Sequence, residues 1–216
     1  MNRINWRYAF GEILIVIIGI SIAFAINKYA DNQQEKEQRL QYLSNIKQDL
    51  LLDKEVLEKN LDSIQNKIQL GQEIIPILNK DIPNKIQYAG KIFNYISLVE
   101  FIPNDITYNT LINSGDLNLI DDFELKKAIE RHYSLYQTIL KDYARIEEIR
   151  KNYIGDYFIR HLDYEQFSQG KFGFDNEHLL KNIIINMNGA QNLKLNATAE
   201  GIKSCESLLE KIESNL

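Results

Sequence analysis

The chain begins with one long apolar segment and continues as charged, amphipathic segments. Residues 8–26, YAFGEILIVIIGISIAFAI, contain a single ionisable side chain, Glu12, and no proline. As an α-helix this segment would be about 28 Å long at 1.5 Å per residue, close to the thickness of bilayer hydrocarbon. Trp6 and Tyr8 lie at one end of it and Tyr29 at the other, and aromatic rings favour the membrane interface. The pattern predicts a transmembrane helix over residues 8–27.

Beyond this segment, apolar residues recur at heptad spacing in a highly charged stretch. They are Leu40, Leu43, Leu50, Leu57, Leu61, Ile64 and Ile68. Such spacing is typical of a long helix that packs against other helices. Lys47 and Lys54 occupy the same frame, so the apolar seam is imperfect. We predict that residues 28–80 form a long stalk and bundle helix that continues from the membrane.

Residues 81–216 are predicted to complete a single helical bundle. Ser114-Gly115 is a typical helix end, and Asp121-Asp122 can cap the helix that follows. Asn188-Gly189 predicts a turn that separates two C-terminal helices. No long stretch alternates with a period of two, so the sequence predicts an all-α protein.

A cleaved secretion signal is the alternative interpretation of the first segment. Arg3 and Arg7 would form its charged head, and Ala23-Phe-Ala25 its cleavage site. The apolar stretch continues to Ile26, which is longer than a signal requires and favours an anchor. The two arginines, on a short N-terminal tail of residues 1–7, favour a cytoplasmic N-terminus. We therefore expect an inner-membrane anchor with the body in the periplasm of a Gram-negative cell.

Composition argues against several classes of function. The formal net charge is −5, and nucleic-acid binding requires a clustered basic surface, so we expect no nucleic-acid partner. The chain has no G-x-S-x-G, no H-E-x-x-H and no glycine-rich phosphate loop after a strand. A di-iron bundle needs glutamate three residues before histidine, and none of the three histidines has one. We expect no enzymatic activity, no metal and no cofactor.

Two side chains that could carry chemistry fall on predicted apolar stripes. His132 lies on the stripe of its helix, where a hydrogen-bonded core histidine is the favoured interpretation. Cys205 lies on the heptad seam of the last helix and is expected to pack in the core. As the single cysteine of the chain it cannot form an internal disulfide.

Glu12 is the most unusual residue of the apolar segment. A carboxylate in a membrane helix is costly and usually faces protein or water. Glu12 could contact another helix, carry ions or protons in an oligomer, or reach the interface about 6 Å away at 1.5 Å per residue. Gly19 and Ala23 form a small-xxx-small pair, and Gly11 lies two turns before Gly19. Such small residues allow close approach of helices, so these four residues are the candidate transmembrane contact.

The chain contains twelve tyrosines. Five of them are close in sequence and could line a ligand groove or a partner face: Tyr133, Tyr136, Tyr143, Tyr153 and Tyr157. Several share the apolar stripe of their helix, so core packing is the favoured account.

The N-terminal segment YAFGEILIVIIGISIA and the later segment Thr107-Tyr-Asn-Thr-Leu-Ile-Asn-Ser-Gly-Asp-Leu-Asn-Leu-Ile-Asp121 together resemble a known family. It is a family of Bacteroidota single-span membrane proteins of unknown function. Family members often carry tryptophan where this chain has Tyr29. The resemblance implies a single-span envelope protein with a helical body, and it implies no activity.

The leading hypothesis is a non-enzymatic, membrane-anchored protein whose helical body binds other proteins or itself, as a homo-oligomer or with another membrane protein. Two alternatives stay open. One is a ligand sensor with its site among the tyrosines, which would need a partner to carry its signal. The other is an oligomeric ion or proton path that uses Glu12.

Overall fold

The computed structural model describes the backbone of residues 6–216 and the side chains of residues 10–216. Part of the predicted N-terminal tail, residues 1–5, lies outside this description. The predictions of orientation and of interfacial rings at the N-terminal end depend on Arg3, Trp6, Arg7 and Tyr8, whose side chains also lie outside it.

The first helix, α1 (Trp6–Ile74), is 69 residues long. It would measure about 100 Å at 1.5 Å per residue. No proline interrupts it, and Pro76, which lacks the N–H that a helix interior requires, lies just beyond its end. The apolar segment, the charged stalk and the first helix of the body are therefore one continuous helix, as predicted.

The remaining helices pack around the distal half of α1, from Gln38 onwards. In order they are α2 (Ala89–Ile96), α3 (Ile106–Ser114), α4 (Phe123–Ile149), α5 (Gly155–His161), α6 (Tyr164–Ser168) and α7 (Glu177–Glu213). Short 3-10 turns cover Lys85–Tyr88 and Asp116–Leu119, and a π-helical turn, Arg150–Ile154, joins α4 to α5. The described residues form no strand, only a single bridge between Leu162 and Phe174. The all-α prediction is confirmed.

Local signals set two of the predicted helix ends. The Asp122 carboxylate accepts hydrogen bonds from the backbone N–H groups of Glu124 and Leu125, which caps α4 as predicted. Gly115 has φ 81° and ends α3 in a left-handed conformation that glycine adopts without strain.

The long helices α1, α4 and α7 pack side by side. Ion pairs Lys47–Glu213 and Lys54–Glu206 show that α7 runs antiparallel to α1. Helix α4 packs on α7, and its contacts His132–Ser204 and Tyr143–Thr198 show that this pair is antiparallel too. The apolar core has two parts, one around the α1–α4–α7 contact and one at the distal end among α2, α5 and the start of α7.

The predicted turn at Asn188-Gly189 is wrong, because α7 passes through both residues without a break. A glycine in a helix interior costs about 1 kcal/mol relative to alanine. Met187 and Ala190, on either side of the pair, are buried in the distal core. Their burial against neighbouring helices offsets the weak local propensity, as tertiary packing often does.

Gly71 lies inside α1, three residues before the helix ends at Ile74. A Cβ at this position would be 2.6 Å from Asn188 Oδ1 and 2.9 Å from the ring of Tyr95. The missing side chain therefore allows α7 and α2 to approach α1 closely.

Candidate functional site

The apolar part of α1 makes no contact with the rest of the described chain. Every side chain from Phe10 to Glu37 is exposed; Phe10, Ile15 and Phe24 are 71%, 71% and 68% exposed. The helix is long and apolar enough to span a membrane, and its apolar window lies near the N-terminus. An exposed apolar surface of this length is stable only when lipid or another helix covers it.

Three of the four candidate contact residues form one stripe along this segment. Glu12, Gly19 and Ala23 are seven and four residues apart, so they lie within about 40° of each other around the helix. Gly11 lies about 80° from Gly19 by the same geometry. A Cβ on Gly19 would meet no atom within 4 Å, so this surface is open.

The body first contacts α1 close to the apolar segment. Gln38 and the Tyr42 hydroxyl donate hydrogen bonds of 3.0 and 2.7 Å to Asp116, and Arg39 forms an ion pair of 3.1 Å with Asp121. The hydrogen bond from Tyr42 is the main reason that the pKa of Asp116 lies below its ordinary value. Gln38 is twelve residues beyond Ile26, so the body starts about 18 Å from the apolar segment along the helix.

A non-helical segment between α2 and α3, residues 97–105, is held along α1 and is called the strap below. Lys67, Asn60 and Asp53 bind it at seven-residue intervals along α1. Lys67 donates to the carbonyls of Asn94 and Tyr95 and to the hydroxyl of Ser97, Asn60 donates to the carbonyl of Glu100, and Asp53 accepts from Asn104. The strap therefore runs antiparallel to α1, and its residue Phe101 is buried in the core between α1, α4 and α7.

Two buried lysines take part in this arrangement. Lys67 binds the carbonyls at the C-terminus of α2, where the helix dipole favours a cation. Lys194 of α7 donates to the carbonyl of Val99 and lies over the ring of Tyr143, 3.8 Å from its centroid. Burial lowers the pKa of each lysine to about 8, and for Lys194 the charge of Lys67 adds to this effect.

The predicted tyrosine face is divided between three environments. Tyr133, Tyr136 and Tyr143 lie in the core between α1, α4 and α7, and Tyr157 lies in the distal core. Tyr153 is 56% exposed. Tyr133 stacks on Tyr108 with ring centroids 4.1 Å apart, and burial raises the pKa of Tyr133 above its ordinary value. No shared surface presents all five rings.

His132 and Cys205 lie in the core, as predicted. The Nδ1 atom of His132 is 2.8 Å from the hydroxyl of Ser204, and burial lowers the pKa of His132 to about 4. The Cys205 thiol lies 3.3 Å from the hydroxyl of Tyr136, and burial raises its pKa to about 11. A thiol with a raised pKa is a poor nucleophile. Residues 10–216 contain no group of three or more metal-ligating side chains.

The strap and the residues that hold it were not predicted from the sequence. Asp53, Asn60 and Lys67 repeat every seven residues on α1, one polar residue per heptad. Residues at this spacing lie on one side of a helix, so the sequence does indicate a row of polar residues beside the apolar heptad positions of α1. The sequence does not show which segment binds there.

Comparison with known proteins assigns a family and no activity. The model of a family of unknown function, DUF6090, matches residues 12–193, and the chain belongs to this family. The expectation of a family of unknown function is confirmed, and its restriction to Bacteroidota stays a prediction. No curated protein and no solved structure gives a significant match.

Proposed function

We propose that the chain is a non-enzymatic, single-pass membrane protein that assembles with a second copy of itself or with another membrane protein. One observation carries the proposal. The apolar segment of α1 is exposed all round in the isolated chain and continues without a break into the packed body. A contact made in the membrane is therefore coupled to the position of the body by one rigid helix.

Glu12 supports a contact inside the membrane. A carboxylate that faces lipid costs free energy, and burial against polar groups of a partner helix removes part of that cost. Gly19 and Ala23 on the same stripe let a partner backbone come close, which favours van der Waals packing between helices. The proposed contact consists of Glu12, Gly19 and Ala23, with Gly11 at its edge.

The proposed orientation places the N-terminus in the cytoplasm and the body in the periplasm. Arg3 and Arg7 precede the apolar segment, and the opposite flank mixes basic with acidic residues. Acidic residues count little in the positive-inside rule, so the arginines supply a modest bias.

The experiment is the mass of the complex extracted gently from native membranes after crosslinking. We compare the wild type with Glu12→Ala and Ala23→Leu, and use Ala25→Leu as the matched control. Ala25 lies about 200° around the helix from Ala23, so the same added bulk points away from the proposed contact.

We expect a homogeneous multimer, or one co-purifying partner, in the wild type and in Ala25→Leu. Glu12→Ala and Ala23→Leu should shift the population towards the monomer. A wild-type protein that is monomeric and captures no partner would overturn the proposal. Equal dissociation in Ala25→Leu would also overturn it, because the contact would then not lie on the Glu12 stripe.

A further inference from the structure

A groove of about 570 Å³ lies at the distal end of the body, between α2 and the junction of α4 with α5. Its floor is apolar and is formed by Phe93, Ile96, Ile154 and Phe158. Phe93 and Phe158 pack edge to face with centroids 5.5 Å apart, so both rings are held in place. This volume lies in the range of small-molecule sites.

The rim of the groove carries unpaired positive charge. Arg150 and Lys151 line it together with Glu147. Within residues 10–216, none of these three side chains forms a hydrogen bond or an ion pair. The rim has a net charge of +1, although the whole chain has a net charge of −5. A free anion would therefore be attracted to this rim.

The backbone at the rim departs from an α-helix. Arg150–Ile154 form a π-helical turn, which in proteins often marks a functional position. Gly155 follows with φ −60° and ψ −48°, angles that any residue adopts, and a Cβ there would meet no atom within 4 Å. Neither conformation nor close packing requires glycine at this position. The absence of a side chain keeps the groove open.

We propose that this groove binds a free anionic amphiphile, with its apolar chain against Phe93 and Phe158 and its carboxylate at Arg150 and Lys151. A lipid that remains in the bilayer is not the expected ligand. The groove borders Ser97, which contacts Lys67, and Lys67 is about 60 Å along α1 from Ile26 at 1.5 Å per residue. The inference goes beyond the proposed assembly function and does not depend on it.

The test uses the full chain in nanodiscs of zwitterionic lipid, with radiolabelled laurate as the probe and empty nanodiscs subtracted. Two variants address the groove: Arg150→Gln with Lys151→Gln removes the rim charge, and Gly155→Leu fills the open space. Their matched controls are Lys126→Gln with Lys127→Gln, and Gly189→Leu. Gly189 is also helical and exposed with no atom within 4 Å of a Cβ, and it lies outside the groove.

We expect saturable binding of one laurate per wild-type chain. Loss of the rim charges should weaken it about tenfold, which corresponds to about 1.4 kcal/mol. Gly155→Leu should abolish binding while far-ultraviolet circular dichroism shows an unchanged helix content. Both controls should bind as the wild type does.

Three results would overturn the proposal: no saturable binding above empty nanodiscs, equal loss in the controls, or equal binding of dodecyltrimethylammonium. The last would mean that the groove does not select for negative charge. None of these results depends on the assembly state, so failure here and failure of the assembly proposal can be told apart.

Discussion

Asp53 of α1 binds Asn104 of the strap through both the backbone and the side chain. Its carboxylate accepts hydrogen bonds of 2.9 Å from the backbone N–H of Asn104 and 2.7 Å from the side-chain amide. Asp53 is only 1% exposed, and burial raises the pKa of its carboxyl against the opposing effect of these bonds. A buried carboxylate of this kind holds the strap on α1 and is costly to leave unpaired.

Replacing Asp53 by alanine should therefore destabilise the body. The change removes hydrogen bonds to a charged acceptor and leaves two donors of Asn104 without their partner. We expect a loss of about 2–4 kcal/mol in the free energy of unfolding, measured by urea denaturation with circular dichroism. Asp62→Ala is the control, because Asp62 is exposed on the same helix and should change stability by less than about 0.5 kcal/mol. Equal effects of the two substitutions would contradict the role of Asp53.

Gly71 and Gly189 should respond in opposite directions to the same substitution. Gly71→Ala places a Cβ against Asn188 and Tyr95, and such overpacking costs about 1–3 kcal/mol. Gly189→Ala meets no atom within 4 Å and should stabilise the protein by up to about 1 kcal/mol through helix propensity. Thermal unfolding of both variants checks the signs. A stabilising Gly71→Ala would show that α7 does not approach α1 as closely as described.

His132 should make the protein sensitive to acid. Its pKa is about 4 in the folded state and about 6.5 in the unfolded chain, so the unfolded state binds more protons between these values. The stabilisation is complete above about pH 6.5 and is lost as the pH falls through about 4, with a total of about 3 kcal/mol.

Unfolding curves between about pH 7 and pH 4 test this expectation. Part of the acid-induced loss should disappear in His132→Gln and should remain in His178→Gln, because His178 is exposed. Identical pH profiles of the wild type and His132→Gln would refute it.

The buried lysines Lys67 and Lys194 should make the stability of the protein depend on pH in the alkaline range. Their pKa of about 8 lies below the ordinary value of about 10.4, so the unfolded state holds more protons between these values. Their contribution to stability is therefore present at high pH and is lost as the pH falls through about 8.

We expect the difference in unfolding free energy between the wild type and Lys194→Met to become more favourable to the wild type from about pH 7.5 to pH 9.5. Tyrosines also ionise at alkaline pH, but they are the same in both proteins, so their contribution cancels when the two unfolding free energies are subtracted. Lys203→Met, at an exposed site, is the control, and its unfolding free energy should change with pH as that of the wild type does. If the unfolding free energy of Lys194→Met changed with pH in the same way as that of the wild type, Lys194 would not be the source of the pH dependence.

Much of the architecture could be predicted from the sequence because its signals are local. The length of the apolar segment, the cap at Asp122 and the helix end at Gly115 each depend on a few neighbouring residues. The heptad pattern likewise indicated the buried face of α1, since helix periodicity alone decides which positions share a side.

The tertiary structure decided what depends on residues far apart in the chain. The path of α7 through Asn188-Gly189 follows from burial against α1 and α2, which outweighs the local preference for a turn. The attachment of the strap to Asp53 and the division of the tyrosines between the two cores and the surface also depend on long-range contacts. A sequence pattern shows which face of a helix is apolar or polar, whereas the partner of that face is fixed only when distant segments pack together.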